Sequence, residues 1–208
     1  MIVITGQDDK RTLLLEAAIK RFSHFGIAKT TLSEIADDAH ISKANLYYYF
    51  PDKWSIVEAI VDLLISQSSA KFQKVLKKHS SVEQRLQRML DIRMAYFQKY
   101  RLLIRNLSEV NVHEPRIRAL SNRLFEEERN NIATILQEGI NLGELETLDI
   151  ESVSKLYITT MRGLSMYTIY SDPSPLIGVE SLELMHQHQS QLNQIFFRGI
   201  SNNQNKNK

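Results

Sequence analysis

The sequence predicts an all-α protein of about nine helices, with an N-terminal three-helix unit followed by a larger helical domain. Three observations predict it. Apolar residues recur at i, i+3, i+4 and i+7 through most of the chain, as at Leu15, Ala18, Ile19 and Phe22. Helix-capping residues stand just ahead of these stripes, at Thr31, Ser42, Asp52 and Asp149. Turn-forming residues gather between the stripes, most densely at Ser171-Asp172-Pro173-Ser174-Pro175.

The first stripe places a helix over residues 10–25, closed by Gly26 as a C-cap. The stretch from Thr30 to Lys53 then reads as two short helices joined by a tight turn, with a capped entry into a third. Thr31 and Glu34 have the spacing of a capping box, and Leu32, Ile35, Ala36 and Ala39 share one face of the helix they open. Ala36 is short enough for two helix axes to approach closely. His40 sits where the turn favours positive φ, a position histidine tolerates better than most residues. Ser42 caps the next helix, and Leu46 and Phe50 supply its buried side. The pattern is a helix-turn-helix, whose second helix enters the DNA major groove. Lys43, Ala44 and Asn45 fill that helix's first turn. Lysine can donate to guanine, alanine can pack on a thymine methyl, and asparagine can read adenine or hold a phosphate. Thr31, Ser42 and Lys53 are expected to set register through phosphate contacts, Thr31 and Lys53 at helix starts whose amides favour an anion.

Leu46-Tyr47-Tyr48-Tyr49-Phe50 followed by Pro51-Asp52-Lys53, with the Thr30-Thr31 pair before it, resembles the signature of the TetR family of bacterial transcription regulators. Ala17-Ala18 through Phe22 and Gly26 resembles that family's first helix. The likeness covers about residues 10–60, and beyond them it is architectural. It implies that Tyr47 and Tyr48 face DNA, while Tyr49 is divided between core and backbone contact.

Residues 1–55 carry seven lysines and arginines against seven aspartates and glutamates, so a basic surface requires the signs to segregate by face. Asp37 and Asp38 close the first helix of the motif, whereas Lys29, Lys43 and Lys53 bracket the recognition surface. The chain has 208 residues, no cysteine and a net charge of +2. That length suits one large or two small domains. The absence of cysteine rules out disulfides and thiolate chemistry and fits a cytoplasmic location. No apolar run reaches the roughly 18 residues that cross a bilayer, so no membrane partner is expected. MIVITGQDDKR is not a signal peptide and reads as a short disordered leader.

Behind the motif, Asp52 caps a fourth helix over about residues 53–79, which at about 1.5 Å per residue is longer than a small domain. A fifth helix carries Leu86, Met89, Leu90, Met94 and Phe97, opened by Ser80 with Glu83 or Ser81 with Gln84. A sixth covers about 101–112 and a seventh 115–142, the latter with Leu120, Leu124, Ile132 and Ile135 and an end at Gly143. The eighth spans 150–171 and the ninth 179–200. Between Lys71 and Arg105 ten basic residues face only Glu83 and Asp91, an excess read as solvated helix faces. SNNQNKNK should be a disordered tail. The domains are therefore 1–54, 55–200 and the tail 201–208.

The last two helices present more apolar surface than one side can bury. The family resemblance implies that they pair with a twin subunit through Leu156, Thr160, Gly163, Leu164, Tyr167, Leu192, Ile195 and Phe196. It also implies an effector pocket, for which Gln67, Met94, Phe97, Ile104, Leu124, Tyr157 and Met161 lie on inward faces. Such an apolar pocket suits a lipophilic small molecule. Neither a glycine-rich phosphate loop nor a G-x-S-x-G elbow is present, and Glu183-x-x-His186 lacks the second copy that a di-metal site needs. No enzyme, cofactor or metal site is expected. The reading is a homodimeric transcriptional regulator, a repressor released from double-stranded operator DNA by its effector. Its rivals are a ligand-independent architectural or partner-binding DNA protein, and a helical-bundle enzyme with a fortuitous motif.

Overall fold

A computed structural model of the chain describes residues 9–76, 80–108, 115–174 and 177–201. Among the described residues there are eight helices: α1 Asp9–Phe25, α2 Leu32–Asp38, α3 Lys43–Tyr49, α4 Lys53–Leu76, α5 Val82–Ser108, α6 Pro115–Asn141, α7 Ile150–Ser171 and α8 Val179–Ile200. The architecture is all-α. Residues 1–8 and 202–208, where a leader and a tail are expected, lie outside the described residues. Ser201, counted with that tail, is buried and caps α8, its amide donating to the Phe197 carbonyl at 2.9 Å.

Eight helices replace the expected nine because the fifth and sixth stripes run on as α5, bent at Tyr100 (φ −116°, ψ 22°). Neither glycine nor proline stands between Phe97 and Leu103, so one residue leaves helical geometry without ending the helix.

The chain divides into two compact units. The first comprises residues up to Ser66 with Tyr100–Leu120, and the second Gln67–Lys99 with Ser121 onward. In the first, Leu14, Ala18 and Phe22 of α1, Ile35 and Ala36 of α2, Leu46 of α3 and Ile56 and Ile60 of α4 are essentially inaccessible. Burying each large side chain among them stabilises the unit by about 1.5–3 kcal/mol, which lets two seven-residue helices persist that would be marginal alone.

The second unit is centred on Leu86 and Leu90 of α5, Ile132, Ile135 and Leu136 of α6, and Tyr157, Ile158 and Met161 of α7. Gly139 permits this packing: a Cβ there would strike the Val82 side chain and come within 3.0 Å of Leu145. Ser81 and Gln84 cap α5 reciprocally, each amide donating to the other's side chain. Asp149 caps α7 by accepting the Ser152 amide at 3.2 Å. After α7 the carboxylate of Asp172 accepts the amides of Ser174 and Gly178, both at 2.9 Å, and so sets the start of α8.

Candidate functional site

The recognition surface is built from the loop that precedes it. Gly26 ends α1 with φ 81°, and its amide donates to the Phe22 carbonyl at 3.2 Å. Buried Thr30 donates its hydroxyl to the Gly26 carbonyl at 2.8 Å, closing the loop. Asn106 donates to the Phe22 and Ser23 carbonyls, at 2.7 and 3.1 Å, so the last carbonyls of α1 have a partner besides water.

At α2 the capping box forms in full. Glu34 donates its amide to the Thr31 hydroxyl oxygen, and its carboxylate accepts both the amide and the hydroxyl of Thr31. Those two donors from Thr31 hold the Glu34 carboxyl below the usual carboxylate range. The turn then reverses at His40, whose φ of 55° places it in the left-handed region. Ile41 donates its amide to the Ala36 carbonyl at 2.9 Å, and its side chain packs on the first unit's core.

Ser42 caps α3 by accepting the Asn45 amide at 3.3 Å. With Leu46 and Phe50 turned inward, Ser42, Lys43 and Ala44 stand exposed, Asn45 is half-buried, and Tyr47 and Tyr48 are 55% and 81% exposed. Tyr49 packs against the core, and its ring meets that of Tyr48 edge-on at 5.2 Å. Two tyrosine rings directed to solvent on the helix that leads with Lys43 make a surface suited to a groove.

The acidic end of α2 is answered from α1. Arg21 forks onto Asp38 at 2.6 and 3.0 Å and reaches Glu34 at 3.1 Å, which leaves Lys29 and Lys43 as exposed cations near the recognition helix.

Lys53 is placed differently from the phosphate contact expected of it. Its ammonium donates to the carbonyls of Ile27, Ala28 and Thr30, at 2.8, 3.2 and 2.8 Å. An ammonium has three donors, so all are used inside the protein and Lys53 braces the α1–α2 loop. Beside it Asp52 caps α4 by accepting the Ser55 amide at 2.7 Å, and its other oxygen takes Arg116 at 2.9 Å. The Ser55 amide, then Arg116, keep the Asp52 carboxyl below its ordinary range.

Of the residues expected to hold an effector, six belong to the second unit and one to the first. Met94, Tyr157 and Met161 are buried, whereas Gln67, Phe97, Ile104 and Leu124 are half-buried, Ile104 within the first unit. Tyr157 and Met161 line a cavity of about 20 Å³ in the second unit. Arg93 and Glu128, which the sequence reading did not select, also line it and are joined at 3.3 Å. Their signal was an arginine in register with Leu86, Met89 and Leu90, and a glutamate in register with Leu124 and Ile132. The Tyr157 hydroxyl donates to Asn193 at 3.0 Å, and burial pushes its phenol well above the usual range.

On the last two helices Leu156, Tyr167 and Ile195 are 63%, 73% and 66% exposed; Thr160 and Gly163 are exposed, while Leu164, Leu192 and Phe196 are half-buried. A Cβ on Gly163 would meet nothing within 4 Å. This face is apolar and open.

Residues 14–60 match the family model described as bacterial regulatory proteins, tetR family. The HTH-type transcriptional regulator YhgD of Bacillus subtilis is 23% identical over 155 residues, covering 72% of this chain and 81% of that protein. The HTH-type transcriptional repressor KstR2 of Mycolicibacterium smegmatis is 26% identical over 153 residues, covering 69% and 72% respectively. A crystal structure of a transcriptional regulator from Cytophaga hutchinsonii superposes with a TM-score of 0.81 at 25% identity, over 94% of this chain and all of that one. All three are named as transcriptional regulators, two of them of the HTH type. With a helix-turn-helix built as described and a family match lying across it, residues 14–60 are a DNA-binding domain of the TetR family of bacterial transcription regulators.

Proposed function

We propose that this regulator works as a homodimeric repressor that leaves its operator when a small, mostly apolar molecule enters the second unit. The observation that carries the DNA-binding part is α3, which buries Leu46 while exposing Lys43, Ala44, Tyr47 and Tyr48. Lys43 and Ala44 read base edges, Asn45 reads a base or holds a phosphate, and the tyrosine hydroxyls with Thr31 and Ser42 hold the backbone. Dimerisation is supported by the open apolar face of α7 and α8. Two recognition helices must then span about 34–36 Å, one helical turn of DNA, or a multiple of it. The name of the KstR2 relative supports repression.

Release follows if effector binding favours a second arrangement of α4. This helix belongs to the first unit up to Ser66 and to the second from Gln67, so a shift within the second unit alters the spacing of the paired α3 helices. The test is a fluorescence-anisotropy titration against duplex DNA from upstream of its own gene, over a range of salt concentrations. Binding that is sequence-selective and weakens with salt supports the reading. Equal affinity for that duplex and a scrambled one contradicts it. Among the described residues no helix is long and apolar enough to cross a membrane.

A further inference from the structure

The cavity between α4, α5, α6 and α7 has apolar walls that include Phe72, Met89, Ile132 and Met161, and two charged residues on its rim, Arg93 and Glu128. Arg93 donates to Glu128 Oε1 at 3.3 Å and to the Ser165 hydroxyl at 3.5 Å, both long for a charge-assisted bond. Glu128 Oε2 is buried and has no hydrogen-bond partner among the described residues. Tyr157 is already engaged with Asn193, so the lining group without a partner among the described residues is an acceptor, Glu128 Oε2. A buried acceptor left unmet is costly, and a donor arriving there recovers that cost.

Charge selects the kind of donor. Arg162 lies over the Phe125 ring at 5.6 Å and makes no hydrogen bond or ion pair among the described residues, yet it is near enough to act on Glu128. An anion entering the cavity would sit beside the Glu128 carboxylate. A cation would sit among two guanidiniums. A neutral donor meets neither penalty. The space of about 20 Å³ admits roughly one water molecule, so a larger guest must move the wall. The wall is suited to that: Met89 and Met161 are unbranched and adaptable, and Arg93 is weakly held.

Resting on the effector reading above, we infer that the second unit takes an uncharged, mostly apolar alcohol or phenol whose hydroxyl donates to Glu128 Oε2. Its ring or chain occupies the space opened by the two methionines. Four probes of similar size separate the chemistries: p-cresol, toluene, benzoate and benzylammonium. Each is titrated calorimetrically into the full chain, and the site is located by NMR of ¹³C-methyl-labelled methionines.

The expected result is p-cresol binding roughly tenfold or more tighter than toluene, with the Met89 and Met161 signals shifting first. Glu128→Gln, checked by circular dichroism for an intact fold, should shrink that preference. Tightest binding by benzoate or by benzylammonium, equal binding of p-cresol and toluene, or no saturable binding overturns the inference, and the wild-type series alone decides it. p-Cresol binding with unchanged operator affinity keeps the site and removes the release mechanism. Operator release by another compound, with no p-cresol binding, does the reverse.

Discussion

At the scale of single residues, Lys43 and Lys53 illustrate how two lysines of one motif come to differ. Lys43 is exposed at the head of α3, whereas the ammonium of Lys53 is filled by three carbonyls. Lys53→Met should lower unfolding stability by about 1–3 kcal/mol in a urea titration, because three acceptors lose a charged partner. In the same variant the slope of log affinity against log salt should stay as in wild type; a phosphate contact would instead reduce it by about 0.9. Asp172 gives a pH prediction. The amides of Gly178, then Ser174, with help from the Ser181 and Ser174 hydroxyls, hold its carboxyl well below the ordinary range in the folded chain. Its stabilisation is therefore complete above the unfolded value, about pH 4, and fades as pH falls toward the folded value. Asp172→Asn should lower the melting temperature at pH 7, and the gap to wild type should narrow below about pH 4. A gap that widens on acidification contradicts this. The caps at Thr31, Ser42, Asp52 and Asp149 were legible because each partner lies three residues away. The brace made by Lys53 was not, since its acceptors are carbonyls 23 to 26 residues earlier that no side-chain pattern marks.

At the scale of elements, α1 to α4 follow directly from local spacing, and α5 shows where spacing misleads. A break in the apolar stripe near Tyr100 looks like a helix end, but with no residue there that stops a helix, the chain bends and continues. The ten basic residues between Lys71 and Arg105 show a second limit. Arg85 is 3% exposed and paired with Glu138, and Arg93 is paired with Glu128; both partners stand on α6, beyond any local charge count. Gly139 is the element-scale test of packing between α5 and α6. Gly139→Ala should destabilise the fold by about 1–3 kcal/mol, the usual cost of overfilling a packed site, measured by chemical denaturation. No change would mean that the Val82 side chain has room to turn away. For α7 and α8, Leu156→Glu with Tyr167→Glu should convert a dimer to a monomer in sedimentation velocity, with circular dichroism unchanged. A single monomeric species in wild type at working concentrations contradicts the pairing proposed for this face.

At the scale of the whole molecule, a net charge of +2 gives little long-range attraction to DNA, so affinity must come from where the charges and rings are placed. The helix-turn-helix was readable from sequence because it is contiguous, lying between Thr30 and Lys53. The interior cavity was not, because its lining joins side chains of α4, α5, α6 and α7, and no local pattern marks the carboxylate oxygen that has no donor among the described residues. The central claim is that the first turn of α3 reads base edges. Binding-site selection from a random duplex library, run in parallel on wild type and Lys43→Ala, tests it most directly. Wild type should enrich one two-fold symmetric sequence with half-site centres about 10 bp apart or a multiple of that, and Lys43→Ala should enrich a different base at a single position in each half-site. Enrichment of the same sequence by both proteins, or of none by wild type, contradicts it.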